Sequence, residues 1–238
     1  MKNMKQRLSP TDFPRLTELR RDAGEPDPYY FDIEHNSAVQ AKHVREIESD
    51  LQRLDDAAWD VLKTDLIPLV KKRHPQRGWQ HLLNKLNEAK GYNYLVGIGC
   101  SDVEFIPRAS TQTPDLKGRL GSRKVLCEVK TISPSDDEFG CRSGGSVRSI
   151  ETQLSAEFFN KLRSTLEDAR EQMLAYCPDT ETKRVGYVVV NYDDILHEYA
   201  LRYSAQLKAF VEGEPVPGLD IEFDIKPPYY WQECISCD

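Results

Sequence analysis

The sequence predicts an α/β protein: a mixed central β-sheet flanked by helices, with a helical N-terminal extension. Three observations point there. Val125–Thr131 and Val185–Asn191 are apolar runs of strand length. Leu219–Ile225 alternates apolar and acidic residues, as an edge strand with one wet face does. Residues 37–61 and 151–176 carry apolar side chains at helical spacing. The expected organisation is an arm and helical extension over 1–75, then an α/β core over 76–238 ending in a helix and an edge strand.

Residues 1–36 are polar, hold Pro10, Pro14, Pro26 and Pro28, and sustain no period, which predicts an extended or irregular lead-in. Tyr29, Tyr30 and Phe31 would dock it on the body. From Ser37, Val44, Ile47, Leu51, Leu54, Ala58 and Val61 recur at spacings of three and four, predicting one long helix. A short helix around Pro68 follows, closing on Lys71-Lys72-Arg73-His74, cations that suit a helix C-terminus. Together with Arg77 they are also the candidates here for a phosphate backbone contact. Trp79, Leu82, Leu83 and Leu86 predict a helix over 76–90, stopped at Gly91, and Tyr92–Ile98 reads as the first strand. Val103–Ile106 is an extra strand or the end of a loop, with Glu104 a solvated carboxylate.

Beyond residue 132, Ser133-Pro134 followed by acids marks a helix start. The glycine-rich stretch 139–148 breaks it and carries Arg142 and Arg148, placed to close on a phosphate backbone. Leu154, Phe158, Leu162, Leu166, Ala169 and Met173 form the buried stripe of the helix over 151–176. The run 185–191 suits a central strand covered on both faces. A helix over 194–211 and the turn Glu214–Gly218 lead to the final strand, which Pro227-Pro228 ends.

The chemistry-bearing stretch lies between these elements. Thr113-Pro114-Asp115-Leu116 precedes Lys117–Lys124, which has two glycines and four cations and reads as a hairpin turn; Lys117 and Arg119 are candidate backbone contacts. Val125–Thr131 follows. With a period of two, Leu126, Glu128 and Lys130 share one face, while Val125, Cys127, Val129 and Thr131 point to the expected better-packed side. Asp115 then falls at the start of the neighbouring strand. Two carboxylates supply hard oxygen ligands for Mg²⁺ or Mn²⁺. A metal so held activates water and neutralises phosphate charge, and a lysine beside it orients that water or stabilises the transition state. Taken singly, an acid two residues from a lysine is an ordinary solvated strand face and Pro-Asp an ordinary turn opener. The spacing, the hairpin and the flanking helices together favour the catalytic reading.

Pro114-Asp115 followed by Glu128-x-Lys130 resembles the signature of the PD-(D/E)xK nuclease superfamily. The resemblance covers roughly residues 76–192. It implies the restriction-endonuclease-like fold, a helix, a three-strand meander, a second helix and a fourth strand, and metal-dependent cleavage of nucleic acid, most readily DNA. Asp115 and Glu128 would hold the metal with the main-chain carbonyl of Val129, and Lys130 would assist the water. The family places a glutamate in the first half of the leading helix, where this chain has Gln80. A neutral amide there orients water but brings no charge; Glu48 or Asp60 is the alternative source of a third acid. The second helix of the family often brings a Lys, Arg or Gln to the site, and Lys161, Arg170 and Gln172 are the candidates.

The 238 residues are 30% charged, with a net charge of −7, which argues against indiscriminate coating of nucleic acid and leaves room for a local basic track. Six cysteines show no secreted framework, and Cys234-Ile-Ser-Cys237 is a lone pair without a second pair or nearby His, read as incidental. A reduced, cytoplasmic setting is expected, and no apolar run is long enough to span a bilayer. The expected partner is nucleic acid, with a homodimer or a protein docking on the N-terminal helices left open. The rival reading is an inactive module of the same fold, working in binding or assembly within a larger nucleic-acid-processing or defence complex.

Overall fold

The computed structural model describes residues 12–24, 38–72, 79–107, 112–133, 153–191 and 199–226. They fall into two compact units divided between Asn93 and Tyr94.

The first unit is helical. Helix α1 (Pro14–Ala23) opens with Pro at its first position, where a missing N–H costs nothing, and ends at Gly24 with φ +67°. It buries Leu16 and Leu19. This corrects the expected irregular lead-in. Its N-terminal amides are satisfied from a distance: Glu48, 2% exposed, accepts from Arg15 N at 3.0 Å and Leu16 N at 2.9 Å. A capping group 32 residues away leaves no local signal in the sequence.

The single long helix expected from Ser37 is two, α2 (Ala38–Gln52) and α3 (Asp56–Val70). Asp55 separates them, its carboxylate accepting from Ala58 N at 2.7 Å as the N-cap of α3. The apolar spacing carries through Leu51, Leu54 and Ala58, all buried, but leaves Val61 exposed. The expected short helix around Pro68 is the last part of α3. Helix α4 (Gln80–Leu86) gives way at Asn87 to α5 (Glu88–Gly97). The first strand expected over Tyr92–Ile98 is therefore helix. Ala89, Tyr92 and Leu95 are buried at spacings of three, and burial along that stripe outweighs the strand preference of the tyrosines and Val96.

The second unit carries a five-stranded mixed sheet in the order β1 (Ser101–Phe105), β2 (Leu116–Leu120), β3 (Arg123–Ile132), β4 (Lys183–Asn191), β5 (Asp220–Lys226). The first three strands form an antiparallel meander; β3, β4 and β5 are mutually parallel. The ladder between β1 and β2 shifts register between Ser101 and Glu104, and Asp102 there takes φ +52°, the mark of a bulge. The β2–β3 turn is tighter than expected. Leu120 pairs with Arg123, so only Gly121 and Ser122 lie between the strands, with Gly121 at φ +61°. Lys117, Gly118 and Arg119 are strand residues.

Helix α6 (Ala156–Tyr176), capped by Ser155 Oγ on Phe158 N, and helix α7 (Tyr199–Gly213) follow β3 and β4. The core joins Leu126, Ile132, Val188 and Val190 of the sheet to Leu162, Leu166 and Met173 of α6 and Leu207 of α7. The face that carries Leu126, Glu128 and Lys130 packs against α6 and α7, while on the opposite face, expected to be the better packed, Val125 and Cys127 are fully buried and Val129 and Thr131 half-buried. Strand β5 lies at the sheet edge as expected, with Asp220 and Glu222 exposed and Asp220 paired to Lys183 at 2.9 Å. Among the described residues no helix is long and apolar enough to cross a membrane.

Candidate functional site

Antiparallel pairing of β2 with β3 sets Leu116 against Cys127, so Asp115, one residue before the strand, arrives beside Glu128 and Val129. Their contacts are reciprocal. Asp115 Oδ2 accepts from Val129 N at 2.8 Å, and Glu128 Oε2 accepts from Asp115 N at 3.2 Å. Both carboxylates are therefore held by backbone, which fixes their rotamers.

Glu128 is 3% exposed. Lys130 Nζ donates to its Oε1 at 2.6 Å, while Gln172 Nε2 donates to its Oε2 at 3.0 Å. Gln172 also donates to the carbonyl of Thr113 at 2.7 Å, and its own Oε1 accepts from Lys130 at 3.5 Å. One amide from α6 thus ties together the segment before Asp115, the buried glutamate and the lysine. Burial, then the negative charge of Asp115, pushes the Glu128 carboxyl up to about 7 against the opposing pull of Lys130. Directly beneath, burial and the same two carboxylates push the Cys127 thiol well above its ordinary range, so this cysteine packs as an apolar residue.

Asp115, Glu128 and Lys130 therefore come together as the spacing anticipated. Gln80 lies in the first unit, buried at the start of α4, whereas the other three belong to the second. The two alternative acids also belong to the first unit: Glu48 caps α1, and Asp60 is largely exposed beside Lys63 at 3.5 Å. Glu104 pairs with Lys117 at 2.9 Å. Arg119 is exposed on β2. Arg77, Arg142 and Arg148 lie outside the described residues, as do Tyr29, Tyr30, Phe31, Cys234 and Cys237.

Of the three helix candidates, only Gln172 reaches the carboxylates. Lys161 donates to Ser133 O at 3.2 Å and Arg170 to Pro217 O at 2.7 Å. The sequence held no signal that separates them: Lys161 borders Leu162, Arg170 borders Ala169 and Gln172 borders Met173, all residues of the buried stripe. Among the described residues no group of three or more His, Cys, Asp or Glu side chains converges, so a cation here would draw on the Asp115–Glu128 pair, main-chain oxygen and water.

No protein-family model, no curated protein and no solved structure matches the chain.

Proposed function

We propose that this protein is a divalent-metal-dependent nuclease of the restriction-endonuclease-like, PD-(D/E)xK type that hydrolyses phosphodiester bonds, most readily in DNA. The observation that carries the reading is the reciprocal bonding of Asp115 and Glu128, with Lys130 on the buried carboxylate. Two acids set side by side, one held near neutral pKa by burial and the other's charge, fit a site for a hard dication, whose charge offsets both effects.

Asp115 and Glu128 would hold Mg²⁺ or Mn²⁺ together with the main-chain carbonyl of Val129, and Gln80 is the amide carried by the family pattern for a supporting role. The bound metal supplies an activated water and neutralises charge on the phosphate. The chain's own residues do the rest. Val129 N–H and Gln172 hold the two carboxylates in place before substrate arrives. Lys130, only partly exposed, places a positive charge at the rim of the site, where it orients the attacking water and stabilises charge gathering on the phosphate oxygens. Lys117 and Arg119 on the adjoining strand, with Arg77, Arg142 and Arg148, are the proposed backbone contacts.

The test is cleavage of linear, supercoiled, branched and single-stranded DNA and of RNA in Mg²⁺ or Mn²⁺. Wild-type protein should cut at least one substrate, and Asp115→Asn and Lys130→Ala should abolish cutting while keeping the wild-type circular dichroism spectrum. Equal activity in both variants overturns the assignment. Absence of cutting by the wild type favours the inactive binding module.

A further inference from the structure

The sheet face that carries Glu128 and Lys130 continues past the C-terminal end of α6. Residues two apart on β3 share this face, and the β2–β3 ladder sets Lys117 against Leu126 and Arg119 against Lys124. Lys117, Arg119 and Lys124 therefore sit on the same face as the candidate catalytic pair. Lys124, four residues before Glu128, lies about 13 Å from it along the strand. Arg119 stands at a similar span from Asp115 on β2. Arg119 and Lys124 are exposed.

The last residue of α6 completes the patch. Tyr176 is 38% exposed, one of the few large apolar side chains so placed among the described residues. The Lys124 ammonium lies over its ring, 5.5 Å from the centroid, and also interacts with Cys177. Among the described residues the acid paired here is Glu104, on Lys117. In a chain of net charge −7, three cations around an exposed ring on one strand pair are a local exception. Cations that track a backbone beside an aromatic face are the chemistry of single-strand binding: phosphates meet the cations and an unpaired base stacks on the ring.

Building on the nuclease reading, we propose that Lys117, Arg119, Lys124 and Tyr176 form a subsite for an unpaired stretch of the substrate strand, flanking the phosphodiester to be cut. The enzyme then prefers single-stranded DNA, or a duplex with an unpaired end, over continuous duplex.

The test separates binding from cutting. Fluorescence anisotropy in EDTA, with the full chain, would compare a labelled DNA strand of about 15 nucleotides, its duplex and the RNA of the same sequence. For the single strand, Arg119→Ala/Lys124→Ala should weaken binding at least tenfold and flatten the slope of log K against log salt by about 1.4. Tyr176→Leu should weaken it about tenfold with the slope unchanged, and leave duplex binding unaltered. RNA binding that responds alike supports the subsite, since it reads phosphate and base face. Single-strand binding unchanged in both variants overturns it, as does a duplex bound more tightly than the single strand. Asp115-dependent cutting together with unaltered binding in both variants defeats the subsite and spares the nuclease. Weakened binding by the variants, with no substrate cut by the wild type, supports the subsite and defeats the nuclease.

Discussion

Gln172 Nε2 donates at once to Glu128 Oε2, at 3.0 Å, and to the Thr113 carbonyl, at 2.7 Å. These acceptors lie 44 and 59 residues away in the chain, on β3 and on the segment that delivers Asp115. A single side chain on α6 thus ties Glu128 to the segment that delivers Asp115 and supports the reciprocal backbone bonds in holding the spacing between the two carboxylates.

Replacing it with Leu should loosen that spacing without removing any acid. Groups that orient a metal's ligands contribute roughly 10- to 100-fold to activity, and losing the two hydrogen bonds, one of them to a carboxylate oxygen that keeps its bond from Asp115 N, costs about 1–3 kcal/mol. We expect Gln172→Leu to retain a folded spectrum, to unfold at lower urea, and to lose turnover by that factor. Wild-type turnover would show that Gln172 has no positioning role.

Glu128 sets a pH dependence of the metal-free protein. Its carboxyl is raised from an ordinary 4.5 to about 7, so the folded chain keeps a proton that the unfolded chain releases. The associated stability is complete below about 4.5 and is lost as pH rises through 7. At 1.36 kcal/mol per pKa unit, the loss is about 3 kcal/mol. Urea unfolding in EDTA should therefore show Glu128→Gln gaining on the wild type by about this amount between pH 5 and pH 8. An identical pH dependence in both proteins would refute it.

A dication should reverse that loss. Ligation favours the ionised carboxylates, so at pH 8 Mg²⁺ or Mn²⁺ should raise the melting temperature of the wild type in a concentration-dependent way, worth about 2.7 kcal/mol at a hundredfold excess over Kd. Asp115→Asn should respond little. A melting temperature indifferent to both metals up to tens of millimolar would argue against the site as a metal centre.

Glu48 is a structural carboxylate of the helical unit. Truncation to Ala removes both acceptors from the buried first turn of α1, each orphaned donor costing about 1–3 kcal/mol. Amide hydrogen exchange should accelerate over Pro14–Ala23, and the chain as a whole should be destabilised. Turnover per folded molecule should stay at the wild-type level, which a third metal ligand at this position would not permit.

By itself the sequence determined much of the sheet's parallel half. The run Val185–Asn191 and the alternation of Leu219–Ile225 survive as β4 and β5, and the stripe Leu162, Leu166, Ala169, Met173 is the buried face of α6. Periodicity reports burial directly: β4 is buried on both faces and reads as a continuous apolar run, while α6 buries one stripe and β5 alternates. It also placed Asp115 beside Glu128, because a hairpin between them leaves few registers. It misread Tyr92–Ile98, where strand-favouring residues are held in a helix by burial of Ala89, Tyr92 and Leu95, and it ran α2 and α3 together, because the apolar spacing passes unbroken across the Asp55 cap. Only the tertiary structure decided what no local pattern encodes: Glu48 capping a helix 32 residues away, Gln172 rather than Lys161 or Arg170 reaching the acids, and Tyr176 lying against Lys124. Each depends on where a side chain meets a partner distant in the chain, and such meetings are set by how helices pack on a sheet, not by the residues on either side.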